Sequence, residues 1–495
     1  MRLILALLFV CSLASLSAQQ TAGDTLFLSL EQTIALAHKD APDVQIAKTA
    51  FVGSYWRFRS FQADYKPIIQ LEGDFPNINR SIQSIILPDG QEKFIPRSLM
   101  NNSLGISVQQ GIGLTGGRIF ARTQLQRLDI FSSGTAGGQV SYLVNPISFG
   151  FIQPIFGFNS LKWNKRIEPL RYEESQKGYS EDMEEVSYQT ANLFFDVLIA
   201  QLNLEAARRD KANADTLYAI SKGRFEVGRI AETELLQIEL RVMSADADLS
   251  SNLLALQTST ERLRDFLGIR DAVNFKLDPP AEIPTFQIDA EEALTSGRTN
   301  RSQTINFQRQ LEEAERNVAQ ARANRGFNMD FYLSFGLSQT APTFNEALRN
   351  PLDQELVTLG MNVPIVDWGK SKATVETAVA NANLTRLQVD QQRVNFEREI
   401  LVKVQQFDLV RSQVRIAERS HEIALKRLDM TRKRYLIGNI LITDLNLAIL
   451  EEASARQGYT AALRNFWLAY YDLRRLTLYD FENDRSLIQT PSVNN

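Results

Sequence analysis

The stretch RFEVGRIAETELLQ, residues 224–237, returns 210 positions later as RYLIGNILITDLNL, residues 434–447. Arg224 falls on Arg434, Phe225 on Tyr435, Gly228 on Gly438, Thr233 on Thr443, Glu234 on Asp444 and Leu235 on Leu445. The same offset lays QPIFGFN (153–159) on VPIVDWG (363–369), and no gap is needed between the two matches. An ungapped register over that distance means that both copies contain one continuous element of equal length, so the chain reads as an internal two-fold repeat. Upstream, residues 41–67 lie on 300–326 at an offset of 259. The first half therefore carries an insertion of 49 residues between Pro67 and Pro154.

Between the repeated corners run two long segments almost free of Gly and Pro, residues 161–222 and 371–432. In the second, Phe407, Val410, Val414, Ala417, His421, Ala424, Leu428 and Tyr435 follow a 3–4 alternation, the signature of a helix packed in coiled-coil fashion. Such a helix is on the order of 90 Å long and needs neighbours along its whole length. Gly228 and Gly438 follow the long helices where a left-handed cap is easily taken, and helical starts follow them at once. Each phrase is thus a tight turn between antiparallel helices, with return helices over 231–267 and 442–476.

At the other end of the rods the period changes to two. FYLSFGLS (331–338) and VTLGMNVPI (357–365) place Phe331, Leu333, Phe335 and Leu337, then Val357, Leu359, Met361 and Val363, on one face. Small or polar residues occupy the other, as in strands with lipid on one side and water on the other. The first half holds four alternating stretches, Ile68 to Asp74, Ser103 to Gln110, Arg118 to Leu128 and Ile147 to Ile155, with the short turn GIGLTGG between the middle two. Long loops at one end and a short turn at the other suit an up-and-down barrel. The halves are then residues 19–268, with strands over 67–155, and 289–479, with strands over 327–365. A segment at 269–288 containing Pro279, Pro280 and Pro284 joins them, and a tail of 480–495 follows.

The first eighteen residues, with Arg2, the apolar run Leu3 to Val10 and small residues at Ser15, Ser17 and Ala18, read as a secretory signal peptide. Cys11 is the only cysteine, so an exported chain cut near Ala18 has no disulfide to rely on. Bulky Val10 before it argues against a lipoprotein site. No run after it reaches the length of a transmembrane helix, which leaves strands as the means of entering a membrane. A net charge of -4, from 54 basic and 58 acidic residues, argues against nucleic acid as a partner.

Together, the repeated helix-turn phrase, the strand-to-helix corners and the signal peptide resemble the TolC family of outer-membrane efflux channels, from about Leu28 to Tyr479. The resemblance implies an α+β membrane protein: a homotrimer closing a β-barrel in the outer-membrane lipid, continued by a long antiparallel α-helical barrel in the periplasm. It implies docking to a periplasmic adaptor (membrane fusion protein) and an inner-membrane RND or ABC transporter, with no cofactor. Family members commonly give four strands per protomer; six alternating stretches here make eighteen in a trimer, unless the insertion folds outside the barrel. A periplasmic coiled-coil scaffold accounts for the helices but not for the strands. No Gly-rich phosphate loop, HExxH or GxSxG occurs, which argues against an enzyme.

By the same resemblance, Asp444 and its counterpart Glu234 would ring a periplasmic aperture. An acid in the first turn of a helix also complements the helix dipole without further purpose. A second acidic ring of some members falls here on Leu447, which would make an apolar constriction. Arg224, Gly228, Arg229, Arg434 and Gly438 would be helix-tip residues meeting the adaptor, although arginines at helix C-termini are favoured electrostatically in any case. His421 lies on the apolar stripe and far from His38, so packing is the expectation rather than metal ligation. The acidic run Glu181, Asp182, Glu184, Glu185 reads as a solvated helix face. Trp163 and Trp368 stand at the strand-to-helix corners, either in an interfacial belt or buried between helices and barrel.

Overall fold

The computed structural model describes residues 25–489 except 87, 132–137, 272, 281–282 and 438. The expected signal peptide, Cys11, Gly438 and the last residues of the tail lie outside them. Two helices, α3 (Ser160–Glu226) and α8 (Lys370–Leu436), dominate the molecule. Both are 67 residues long, about 100 Å, and begin 210 positions apart. Each runs four residues beyond the end read from the sequence because a tight C-cap needs few non-helical residues. Arg229 N donates to the Arg224 carbonyl at 2.8 Å, and Asn439 N to that of Arg434 at 3.0 Å. Gly228, at φ +71°, makes this possible in the first copy, since an L side chain there is strained.

The return helices α4 (Glu232–Phe266) and α9 (Ile442–Thr477) pack antiparallel on α3 and α8. At the opposite ends stand α1 (Leu30–Asp40) and α2 (Pro42–Ala63), and later α5 (Ala290–Asn300) and α6 (Ser302–Arg325). These begin 260 positions apart, one more than the sequence alignment at 259. Ala41 (φ -61°, ψ 138°) and Arg301 (φ -72°, ψ 141°) are the extended residues between the two helices of each pair.

The strands are β1 (Thr25–Leu28), β2 (Ile68–Asp74), β3 (Ile78–Ile86), β4 (Glu92–Gly111), β5 (Arg118–Phe131), β6 (Gln139–Ile155), β7 (Asn274–Leu277), β8 (Asn328–Ala341), β9 (Leu352–Asn362), β10 (Tyr479–Asp480) and β11 (Arg485–Ser486). One antiparallel sheet has the order β2-β4-β5-β6-β8-β9, with a one-turn helix α7 (Phe344–Ala347) between its last two strands. β3, absent from the sequence reading together with the first half of β4, continues β2 along the same edge of β4. Phe75, Pro76 and Asn77 interrupt the pairing by one extra residue, and that bulge breaks the alternation on which the reading depended. In the segment joining the halves, β7 pairs in parallel with β1.

The main core lies halfway along the rods, where Phe194, Phe195, Phe407, Phe466 and Tyr470 are buried among α1, α3, α8 and α9. The acidic run sits there, and of its four members only Asp182 is exposed as a solvated face would have it. Glu184 is 2% exposed and accepts from Arg474 at 3.1 Å, Glu185 accepts from Arg475 at 2.7 Å, and Glu181 accepts from the Ser302 amide at 2.7 Å. The four acids span a little less than half of the helix circumference, and α3 has neighbours on several sides, so that arc meets other helices as well as solvent. His421 stacks on Tyr459 of α9, while His38 Nε2 lies 2.8 Å from Ser187 Oγ and 3.1 Å from the Met183 carbonyl oxygen.

Burial holds the His38 imidazole below its usual range, against the opposing pull of Glu184. The unfolded chain therefore takes up this proton first, so stability falls as pH drops below about 6.5. In His38→Gln the melting temperature should fall less between pH 7 and 5 than in the wild type. Parallel melting curves for the two proteins over that interval would contradict this.

Candidate functional site

Along the lower half the helices stand in the row α4-α3-α9-α8, and nearer the sheet in the row α2-α3-α6-α8. The sheet ends likewise in β2 and β9. Every layer is thus an open arc whose ends are β2, α2 and α4 on one side, β9 and α8 on the other. The outer helices carry apolar surface. Val402, Leu409, Ile416, Ile423 and Met430 recur every seven residues along α8, and each is more than half exposed. Leu236, Leu240, Met243, Ala247 and Leu254 follow a 3–4 alternation on α4 and are exposed as well. Apolar stripes at heptad spacing are coiled-coil seams wanting a partner helix. The 3–4 alternation read from the sequence is the buried stripe of α8; the exposed stripe is a second one, carried by a strict seven-residue spacing.

In the sheet, one row of registered residues crosses five strands as Ile69, Val108, Ala121, Phe149 and Phe335, all on one face. The adjacent row, on the opposite face, reads Gln70, Ser107, Arg122, Ser148, Gly336 and Gln354 across all six. On that polar face Arg122 Nε donates to Ser148 Oγ at 3.3 Å and Ser107 Oγ to Glu72 at 3.3 Å. Such a sheet suits lipid on one side and water on the other. The turn after β4 meets the helices: Asn159 caps α3 through the Lys162 amide (2.9 Å) and donates to the Gly113 carbonyl (3.0 Å). The short turn and the rods therefore share one end of the sheet. At the corners Trp163 is half-buried beside the Arg166 guanidinium, whereas Trp368 is 96% exposed in this chain.

At the far end of the rods the two helix tips are joined by a second, small core of Leu217, Ile238, Tyr435, Ile442 and Leu445. Tyr435 is its centre, with its hydroxyl 3.4 Å from Ser221 Oγ. Arg224 covers the Tyr435 ring and donates through Nη2 to the Leu436 carbonyl at 2.8 Å, tying the last turn of α3 to that of α8. Arg229 and Arg434 are exposed, and Lys433 pairs with Asp429 on its own helix at 2.6 Å. Glu234 and Asp444 both sit in first turns, of α4 and α9 respectively. Asp444 and Leu447, three residues apart on α9, are both exposed, beside the buried Leu445 and Ala448. Of the described tip residues expected from the sequence, the structure brings only Arg224 onto the neighbouring tip. It adds Tyr435, which the sequence showed only as the last member of a stripe.

Among the described residues no three His, Cys, Asp or Glu are grouped to hold a metal, and no helix is long and apolar enough to cross a membrane.

A family model described as outer membrane efflux protein matches residues 125–269 and 297–477, about two thirds of the chain. No curated protein matches it in sequence. Among solved structures, CusC is similar at 16% identity and a TM-score of 0.63, over 93% of this chain and 95% of its own. The Campylobacter jejuni CmeC outer membrane channel is similar at 15% and 0.66, over 90% and 85%. The Neisseria gonorrhoeae MtrE outer membrane channel, in its open state, is similar at 14% and 0.61, over 90% and 88%.

Proposed function

The chain belongs to the outer membrane efflux protein family, and we propose that it is one protomer of a homotrimeric, passive export duct spanning the outer membrane and the periplasm. It is an efflux channel and not an enzyme. The open arc carries this reading. Copies related by rotation would set α8 and β9 of one against α4, α2 and β2 of the next, burying the exposed stripes and pairing the free strand edges. An open edge is untenable in lipid, which makes ring closure a condition of insertion. A scaffold without transport would leave the two-faced sheet without a counterpart. The matched lengths of α3 with α8 support a duplicated half. Members of a ring so built place two kinds of helical hairpin alternately round the periplasmic mouth.

At that mouth Asp444 and Glu234 would supply rings of negative charge favouring cations. Leu447, on the Asp444 side of α9, would narrow the opening one turn further in. The outermost tip residues Gly228, Arg229 and Arg434, with Gly438 as the counterpart in sequence, would meet a periplasmic adaptor. An RND or ABC pump in the inner membrane would supply the energy. Arg224 would act inside the protomer, holding the two tips closed through the Leu436 carbonyl.

The duct itself is tested by fractionation: a heat-dissociable trimer in outer-membrane fractions is expected, and a soluble monomer or dimer would reject the reading. For the mouth, Leu447→Ser should raise the single-channel conductance of the resting trimer in planar bilayers. An unchanged conductance would sink the apolar constriction while leaving the duct in place.

A further inference from the structure

Resting on the trimeric reading above, we propose that the inserted hairpin is the subunit seam of the barrel, so that β9 of one copy pairs with β2 of the next and eighteen strands close. The insertion does not fold away from the sheet. β2 and β4 share the registered rows with β5, β6 and β8 and keep the same faces: Ile69 and Val108 lie on the apolar side with Phe149, and Gln70 and Ser107 on the polar side with Ser148. With β4 on it, the edge of β5 is already occupied, and β2 is the free edge. The path holds an even number of strands, so β2 leads away from the helices and β9 leads back to them. Two such edges meet antiparallel whatever the number of copies.

The faces also fix a register. The row from Ile69 reaches β9 at Glu355, whereas the apolar residues of β9 on that face are Val357, Leu359 and Met361, with Leu352 and Leu356 on the other. The apolar band therefore crosses the strands obliquely, as tilted strands of a closed barrel require. Levelling the band across the seam sets Leu71 beside Leu359, and hence Ile69 beside Met361 and Glu72 beside Thr358. Ile69 and Leu71 then continue the apolar side of β9 into the next copy, and Gln70 and Glu72 meet Gly360 and Thr358 on the other. At a strand spacing of about 4.8 Å and a tilt of about 40°, eighteen strands give a barrel roughly 36 Å across between backbones, against roughly 24 Å for twelve. The exit through the membrane is accordingly half as wide again as four strands per copy would make it.

Cysteine pairs in the full-length protein, expressed into outer membranes, test the seam. The sequence contains a single cysteine, Cys11, so single-cysteine variants serve as controls. Glu72→Cys with Thr358→Cys should give disulfide-linked dimers and trimers on non-reducing gels, because facing residues of adjacent strands meet disulfide geometry. Gln70→Cys with Gly360→Cys should do the same, whereas Gln124→Cys on β5 with Thr358→Cys should give none. Cross-linking of β5 to β9 without β2 to β9 would overturn the proposal and indicate twelve strands. Absence of any β2 to β9 link in a heat-dissociable outer-membrane trimer would also overturn it, while leaving the duct standing. A chain that forms no trimer in that membrane would reject both.

Discussion

Aspartate at both Ile416 and Ile423 is expected to leave a folded chain that no longer forms a trimer and no longer supports export. In the single chain both side chains are more than half exposed on α8, and neither belongs to a core cluster. Surface changes of that kind usually alter the stability of a protomer by less than about 0.5 kcal/mol. In the ring the same positions become a coiled-coil seam. Each isoleucine buried there contributes roughly 1.5–3 kcal/mol, and a carboxylate in its place adds a desolvation cost. Two such losses recur at every subunit contact, so closure fails cooperatively. The measurements are the heat-dissociable trimer on gels and accumulation of an exported probe in cells, beside folded monomer content by circular dichroism. Leucine at both positions should preserve the trimer, as should Arg415→Ala on another face of α8. An intact, active trimer in the double aspartate variant would place the seam elsewhere.

The long rods were legible because their cause is local: a 3–4 apolar alternation with few breakers leaves little but a helix, and Gly228 marks where it must stop. The two-faced strands were legible for the same reason wherever alternation was unbroken, as at Phe331 to Leu337. It failed where tertiary pairing compensated for a poor local pattern. INRSIQSII at 78–86 alternates only loosely after the bulge at Pro76, yet β4 pairs with all of it. The mid-rod charges failed differently. From sequence alone a cluster of acids on a helix is a wet surface, and only the approach of α9 and α6 shows Glu184 and Glu181 to be joints between helices. The helix tips fall between these cases. Their turn was written in glycine, whereas the contact of Arg224 with the Leu436 carbonyl joins residues 212 positions apart and left no local trace.

Arg474→Met is expected to be the most destabilising single change in the core, and a second substitution at Glu184 should identify the cause. Arg474 bonds Glu184 through Nε and Nη2, lies 3.5 Å from Asp480, and covers the rings of Tyr470 and Tyr471. Both carboxylates are almost fully enclosed, at 2% and 1% exposure. Removing one partner of a buried charge pair costs about 3–5 kcal/mol, because the remaining charge has no water to return to. Methionine fills most of the space, so the loss is one of charge compensation rather than of packing. In the wild type, burial pushes Asp480 up, but the Asn483 amide, Arg474 and the Tyr470 hydroxyl together hold it net below its usual range. That contribution is complete above about pH 4 and is lost only below it. In the variant the enclosed Glu184 carboxylate keeps no cation beside it. Adding Glu184→Gln should therefore restore part of the lost stability in thermal melts, whereas a deficit unchanged by Glu184→Gln would show that the role of Arg474 is to pack on the tyrosines.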